Sequence, residues 1–181
     1  KLWSKKKRNL LVGNWCVDNE HRYKKSKNKK YIISEYHWND KAKFRKDVKY
    51  LQKIYNSLLK NLYLNLNRFH NLKYPKRYWE ILLWKWLWTY LFMTYDKWEI
   101  INSIKKKNKN LSSNFFSYSA KNFIPKDSLE FTISIMHSND WIHWIYNEIL
   151  KFVGGVQCNL INKNEIKPKF LHKKNEYQSA N

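Results

Sequence analysis

Polar side chains set beside tryptophan are the residues most able to do chemistry. They occur in His37-Trp38-Asn39-Asp40, Arg77-Tyr78-Trp79 and Asn139-Asp140-Trp141-Ile142-His143-Trp144, and again in Trp15-Cys16 and Asp96-Lys97-Trp98. Such pairs suit a sugar: its apolar ring faces stack on indole, and its hydroxyls need charged or amide partners. His37, Asp40 and His143 are candidates for taking a proton from an acceptor hydroxyl. Trp15, Trp38, Tyr78, Trp79 and Asp140 are candidates for lining the cleft. Arg77, with its fork of donors, would offset phosphate charge. Each also has a plainer reading, in which the Trp anchors the core and its neighbour caps a helix. For Asp127 and Asp140 capping is the better reading. Cys16 with His37 could make a nucleophile–base pair. No third group orients it, and a buried structural cysteine is the simpler account. No CxxC, HExxH, GxGxxG, P-loop or GxSxG occurs, so no metal is expected and no cofactor is indicated.

Positioning these residues falls to a few elements. Asn9–Val12, ended by Gly13, reads as a buried strand, and Tyr31–Ile33 as a second. The stretch Trp15–Lys30 reads as a basic loop, long enough to make the two strands parallel neighbours with a crossover. His37 and Asp40 then fall just past the carboxyl end of a strand, where open α/β sheets place ligands. Val48, Leu51, Tyr55, Leu58, Leu62, Leu66 and Phe69 step by three and four, so a helix of about 28 residues is expected. Asn39 or Asp40 would cap it, and Asn71 would close it.

Pro75 suits the first turn of a next helix. From Tyr78 to Ile104 apolar residues surround the axis, but Glu80, Lys85 and Asp96 interrupt. A membrane span needs about 20 unbroken apolar residues. A buried central helix is therefore expected, with an interfacial one as the alternative. Lys105–Asn122 reads as a loop. Asp127 with Glu130 has capping-box spacing. Ser138-Asn139-Asp140 would cap a last helix to about Phe152, and Gly154-Gly155 would stop it. Val156–Ile161 is a possible third strand, and Asn162–Asn181 a polar tail.

The formal net charge is +22, with 36 Lys plus Arg against 14 Asp plus Glu in 181 residues. Aromatic residues make up 18%, which excludes a disordered chain. Three Gly and three Pro are too few for a turn-rich small β fold. The charge first suggests nucleic acid or an anionic membrane. The 22 Asn beside only 3 Ala also match the drift of an AT-rich genome, which fills solvated positions with Lys and Asn. Residues 1–30 carry 11 basic residues against 2 acidic ones, a local excess of +9. Two cysteines build no disulfide framework and weakly favour a reducing compartment. Lys1 is not followed by an apolar stretch of the signal-peptide kind, and the chain reads as a piece of something longer. The organisation expected is a basic arm over 1–8, one α/β domain over 9–161, and a polar tail over 162–181.

The same clusters carry a resemblance. LLVGNWC (Leu10–Cys16), EYHWND (Glu35–Asp40) and DVKYLQKIYNSLL (Asp47–Leu59) resemble the N-terminal part of the surface-carbohydrate, or O-antigen-locus, transferases of bacteria. LNRFHNLKYPKRYWEILL (Leu66–Leu83), YDKWEII (Tyr95–Ile101), IPKDSLEF (Ile124–Phe131) and NDWIHWIYNEIL (Asn139–Leu150) continue the match in order. Two departures stand out. Trp84-Lys85-Trp86-Leu87 replaces a Gly-Pro before Trp-Leu, and Ile142 stands where the family often has Asn.

The resemblance implies a glycosyltransferase-like (GT-B-like) architecture of two facing α/β halves, of which this chain is the first. It implies a sugar acceptor and a nucleotide-sugar donor, the donor held mostly by the absent half. The setting implied is cytoplasmic, with peripheral contact to an anionic inner membrane as an option.

The fold class expected is therefore α/β, predominantly helical, with a small parallel sheet of two to three strands and long helices. The function expected is a transferase in surface-polysaccharide assembly. The alternative is a basic RNA-binding or organellar ribosomal protein, and nonspecific RNA binding at low salt is expected in either case. A third reading is a fragment with no activity of its own.

Overall fold

A computed structural model describes residues 9–16 and 31–162. The predicted basic arm, most of the first loop and the polar tail lie outside the described residues. Strand β1 (Asn9–Leu11) pairs parallel with β2 (Tyr31–Ile33), Leu10 opposite Ile32. A helical turn, Asn14–Cys16, follows β1, and a second, His37–Asn39, follows β2.

Helix α1 (Lys41–Phe69) begins where the sequence says it should. Asp40 Oδ1 accepts the N–H groups of Ala42 at 2.8 Å and Lys43 at 3.1 Å, two donors that the first turn otherwise leaves unbonded. Asn71 closes the helix in the left-handed region, with φ 53°. Asn67 then staples the turn into the next helix. Its Oδ1 accepts Trp79 Nε1 at 2.9 Å and Tyr74 N at 3.2 Å, and its Nδ2 donates to the Tyr74 carbonyl.

Helix α2 (Lys76–Lys107) runs unbroken through Trp84–Leu87, as expected once Gly and Pro are absent. It is not buried all round, which corrects the sequence reading. Leu87 is buried against Tyr55 and Leu59 of α1, but Ile81, Leu82, Trp84 and Tyr90 are exposed. Among the described residues, the first part of α2 packs chiefly on α1, and Trp86 and Tyr90 are where it meets Phe131. Phe69 and Leu58 of the α1 stripe are exposed for the same reason.

The second half of α2 enters the main core. Ile100, Ile101 and Ile104 pack with Phe131 and Ile135 of α3 (Ser128–His137) and with Trp141, Ile145 and Ile149 of α4 (Asn139–Val153). Asp127 Oδ1 caps α3 on Glu130 N at 2.8 Å, and Ser138 caps α4 on Trp141 N. Gly154 and Gly155, both at positive φ, stop α4. Lys105 reaches across from α2 to the carbonyls of Val153 and Gly154, placing a cation at the negative end of that helix.

The segment predicted as a loop after α2 holds a strand, β3 (Ser112–Phe116). Its Ser-Ser-Asn start has poor strand propensity. Parallel pairing with β4 (Gln157–Asn162) and burial of Phe115 make it a strand. The small parallel sheet is thus two separate two-stranded sheets, β1-β2 and β3-β4, on a chain that is mostly helical.

Candidate active site

The elements hold the predicted residues in three groups. His37, Trp38 and Asp40 lie together between the β2 end and the start of α1. Arg77, Tyr78 and Trp79 sit at the opposite end of α2, roughly 28 Å from Asp96 at about 1.5 Å per residue. There Arg77 pairs with Glu80 at 3.0 Å, Tyr78 is exposed, and Trp79 is buried as the partner of Asn67. The third place is formed by Asp140 and His143 on α4 with Tyr118. Trp15 lies in the turn after β1.

The first place has the denser chemistry. The His37 ring is 3% exposed, and its Nε2 lies 3.0 Å from Asp96 Oδ1 on α2. With Asp96 accepting the Nε2 proton, Nδ1 carries the lone pair. Nδ1 is buried, and no hydrogen-bond partner reaches it among the described residues. A buried polar atom without a protein partner is uncommon.

Asp96 gathers several groups. The Tyr36 hydroxyl bonds to it, and burial followed by the Asp96 charge raises the Tyr36 pKa. Lys97, 4% exposed, faces it as well. Burial pushes the Lys97 ammonium below its ordinary range, and the Asp96 charge only partly offsets this. Tyr146 of α4 is raised by burial and then by the same carboxylate. Perturbed groups gathered around one carboxylate beside a hollow make this corner a candidate functional site, though buried structural networks show the same shifts.

A second acidic pair adjoins the first. Asp47 accepts Trp38 Nε1 at 3.0 Å and Lys43 Nζ at 2.5 Å, and Lys43 also reaches Glu99 at 2.7 Å. Burial alone would raise the Asp47 carboxyl. Hydrogen bonds from Lys43, Trp38 and Tyr95 outweigh it and hold the carboxyl below its ordinary value. Burial likewise opposes the Lys43 charge, and the bonds to Asp47 and Glu99 overcome it. A ring nitrogen of His37 and oxygens of Asp47 and Glu99 lie within 4.8 Å of one another, a spacing that could hold a cation. The Lys43 ammonium already bridges the two carboxylates.

A hollow of about 290 Å³ opens beside this cluster, lined by Tyr36, His37, Asp40, Lys43, Glu99, Asn102, Ser103, Lys106 and Lys107 among others. Its size is near the lower end for small-molecule sites. Asp40 lines it while one of its oxygens caps α1. Sequence reading missed Tyr36, Lys43, Asp47, Asp96 and Glu99 as members. For Asp96 the signal was present, since Asp96-Lys97-Trp98 repeats the Trp-flanked pattern. Lys43, Asp47 and Glu99 look in sequence like solvated helix charges.

The alternative pair of Cys16 with His37 gains no support, because the polar partner of His37 is Asp96. Burial also pushes the Cys16 thiol up, away from the reactive thiolate.

At the third place, His143 Nδ1 lies 3.2 Å from the Tyr118 hydroxyl and 3.4 Å from Asn147 Nδ2. Burial lowers the His143 pKa below 6.5, against a bond to the Asn114 backbone and the Asp140 charge. The unfolded chain therefore takes up the proton first as pH falls. The stability that neutral His143 contributes is complete above pH 6.5 and is lost as pH drops through the lower folded value. His143→Gln should flatten that part of a melting-temperature profile. An unchanged slope below pH 6.5 would remove His143 as its cause.

With this geometry in place, the class can be stated: a transferase family model matches residues 1–181, the whole chain. The chain belongs to that family, the LIC12162 family transferases. Neither a curated protein nor a solved structure matches it. No helix among the described residues is long and apolar enough to cross a membrane.

Proposed function

We propose that this chain is the acceptor-side part of a glycosyltransferase-like enzyme in bacterial surface-polysaccharide (O-antigen) assembly, with His37 as general base. The observation that carries the reading is the state of His37. One ring nitrogen is fixed by a carboxylate, the other is buried with no hydrogen-bond partner among the described residues, and the residue lines an open hollow. A base held by a third group is the arrangement that proton removal from a hydroxyl requires.

In the proposed step the acceptor hydroxyl gives its proton to His37 Nδ1. Its oxygen forms the bond to the anomeric carbon of the donor sugar. The bond from that carbon to the nucleotide diphosphate breaks, and the diphosphate leaves with the electron pair. Lys106 supplies ammonium charge at the hollow for the leaving phosphates, with Lys107 once released from Glu35. Because Nδ1 is buried, side chains lining the hollow must shift for the hydroxyl to reach it. The nucleotide itself would be held by a second α/β half beyond this chain, on the cytoplasmic side of the inner membrane.

Turnover of nucleotide-activated sugars by the complete reading frame tests this reading. Transfer from at least one donor of a broad panel is expected. Failure with every donor, together with tight RNA binding that resists salt, would overturn it.

A further inference from the structure

A second cavity lies along the same helix pair. It has a volume of about 570 Å³ and is lined by Gln52 and Tyr55 of α1 and by Arg77, Glu80, Trp84 and Trp88 of α2. The lining mixes aromatic faces with an amide, a guanidinium and a carboxylate, the combination that suits a sugar and not a purely apolar partner. Trp84 is 55% exposed and Arg77 lies at the surface, so both are available to a ligand.

The cavity shares its face of α2 with the His37 hollow. Arg77, Ile81, Trp84, Trp88, Phe92, Tyr95 and Glu99 step by three and four. Ile81 and Glu99 are 18 residues apart, which is five full turns at about 3.6 residues each, so they point the same way. Rings fill the interval. Trp88 lies 6.1 Å from Phe92, Phe92 lies 4.5 Å from Trp38, and Trp38 lies 4.6 Å from the His37 ring. On the α1 side Tyr55 meets Trp88 edge-on at 6.0 Å.

The geometry points to an extended acceptor. We infer that the Trp84–Trp88 cavity is a distal subsite for a growing glycan, on the face of α2 that also carries Glu99 of the His37 hollow. This rests on the glycosyltransferase reading and adds the substrate class: an oligosaccharide of several sugars, not a single sugar. Arg77 thereby acts on the far end of the acceptor, not on the donor phosphate.

The test is calorimetric binding of size-fractionated dextran and heparosan oligosaccharides, one neutral and one acidic, to the complete protein. Octasaccharides of at least one series are expected to bind well above disaccharides. Trp84→Ala should weaken the octasaccharide at least about tenfold and leave the disaccharide unchanged. Binding that ignores chain length, or that survives Trp84→Ala, overturns the inference. So does a Trp84-dependent attachment to anionic phosphatidylglycerol vesicles without any binding of sugar. Length-dependent binding in a protein that transfers no sugar would instead sink the general-base reading and leave the subsite standing.

Discussion

His37→Ala in the complete enzyme is expected to slow sugar transfer by about 10²–10⁴-fold, the range that a positioned general base contributes. The fold should survive. His37 bonds to Asp96 across a gap of 59 residues in sequence, but Asp96 keeps the Tyr36 hydroxyl when the imidazole is gone. One lost hydrogen bond and a small void cost about 1–2 kcal/mol. A melting temperature lowered by a few degrees, with turnover nearly abolished, is the expected pair of results. Turnover at the wild-type rate would take His37 out of the reaction.

Asp47→Ala should have the largest effect on stability among the charged positions. Its carboxylate is 8% exposed and bonds to Trp38, Lys43 and Tyr95 at once. Removal leaves an indole N–H and a phenol without an acceptor, while Lys43 keeps Glu99. About 3 kcal/mol is expected at neutral pH. The sign with pH follows from the lowered carboxyl. Its folded value lies below 3.8, so its contribution is complete above pH 3.8 and is lost as pH falls through the folded value. The gap in melting temperature between wild type and variant should therefore shrink in acid. A gap as wide at pH 2.5 as at pH 7 would mean that the carboxylate charge is not what stabilises this corner.

Much of the fold was legible because local chemistry agrees with it. Asp40, Asn71, Asp127, Ser138 and Gly154-Gly155 punctuate the helices where their side chains or backbone freedom dictate. The parallel β1-β2 pair followed from two short apolar runs too far apart for a hairpin. Strand β3 was not legible, because Ser112–Phe116 becomes a strand only through β4, more than forty residues on. The exposed face of α2 was hidden for a related reason. Apolar residues surround the axis, and nothing local reveals how many neighbours a helix end will have.

The candidate site was half legible. His37, Trp38 and Asp40 stand together because one turn holds them, and α2 brings Asp96 and Glu99 to the same corner. The distance of Arg77 and Tyr78 from them could be known only from the length and direction of the helices. Trp79 proved to be a latch for the hairpin turn, its indole N–H spent on Asn67.

In the proposed reaction His37 and Asp96 work as one unit. Kinetics of His37→Ala, Asp96→Asn and the double variant, with the complete enzyme and the same donor and acceptor, decide whether they do. Residues that act together are strongly non-additive. Asp96→Asn alone should slow transfer, because a neutral amide no longer stabilises the imidazolium that forms and its N–H can hold the wrong tautomer. Added to His37→Ala, it should cost almost nothing more. Two losses that multiply in the double variant would show that the carboxylate and the imidazole act apart.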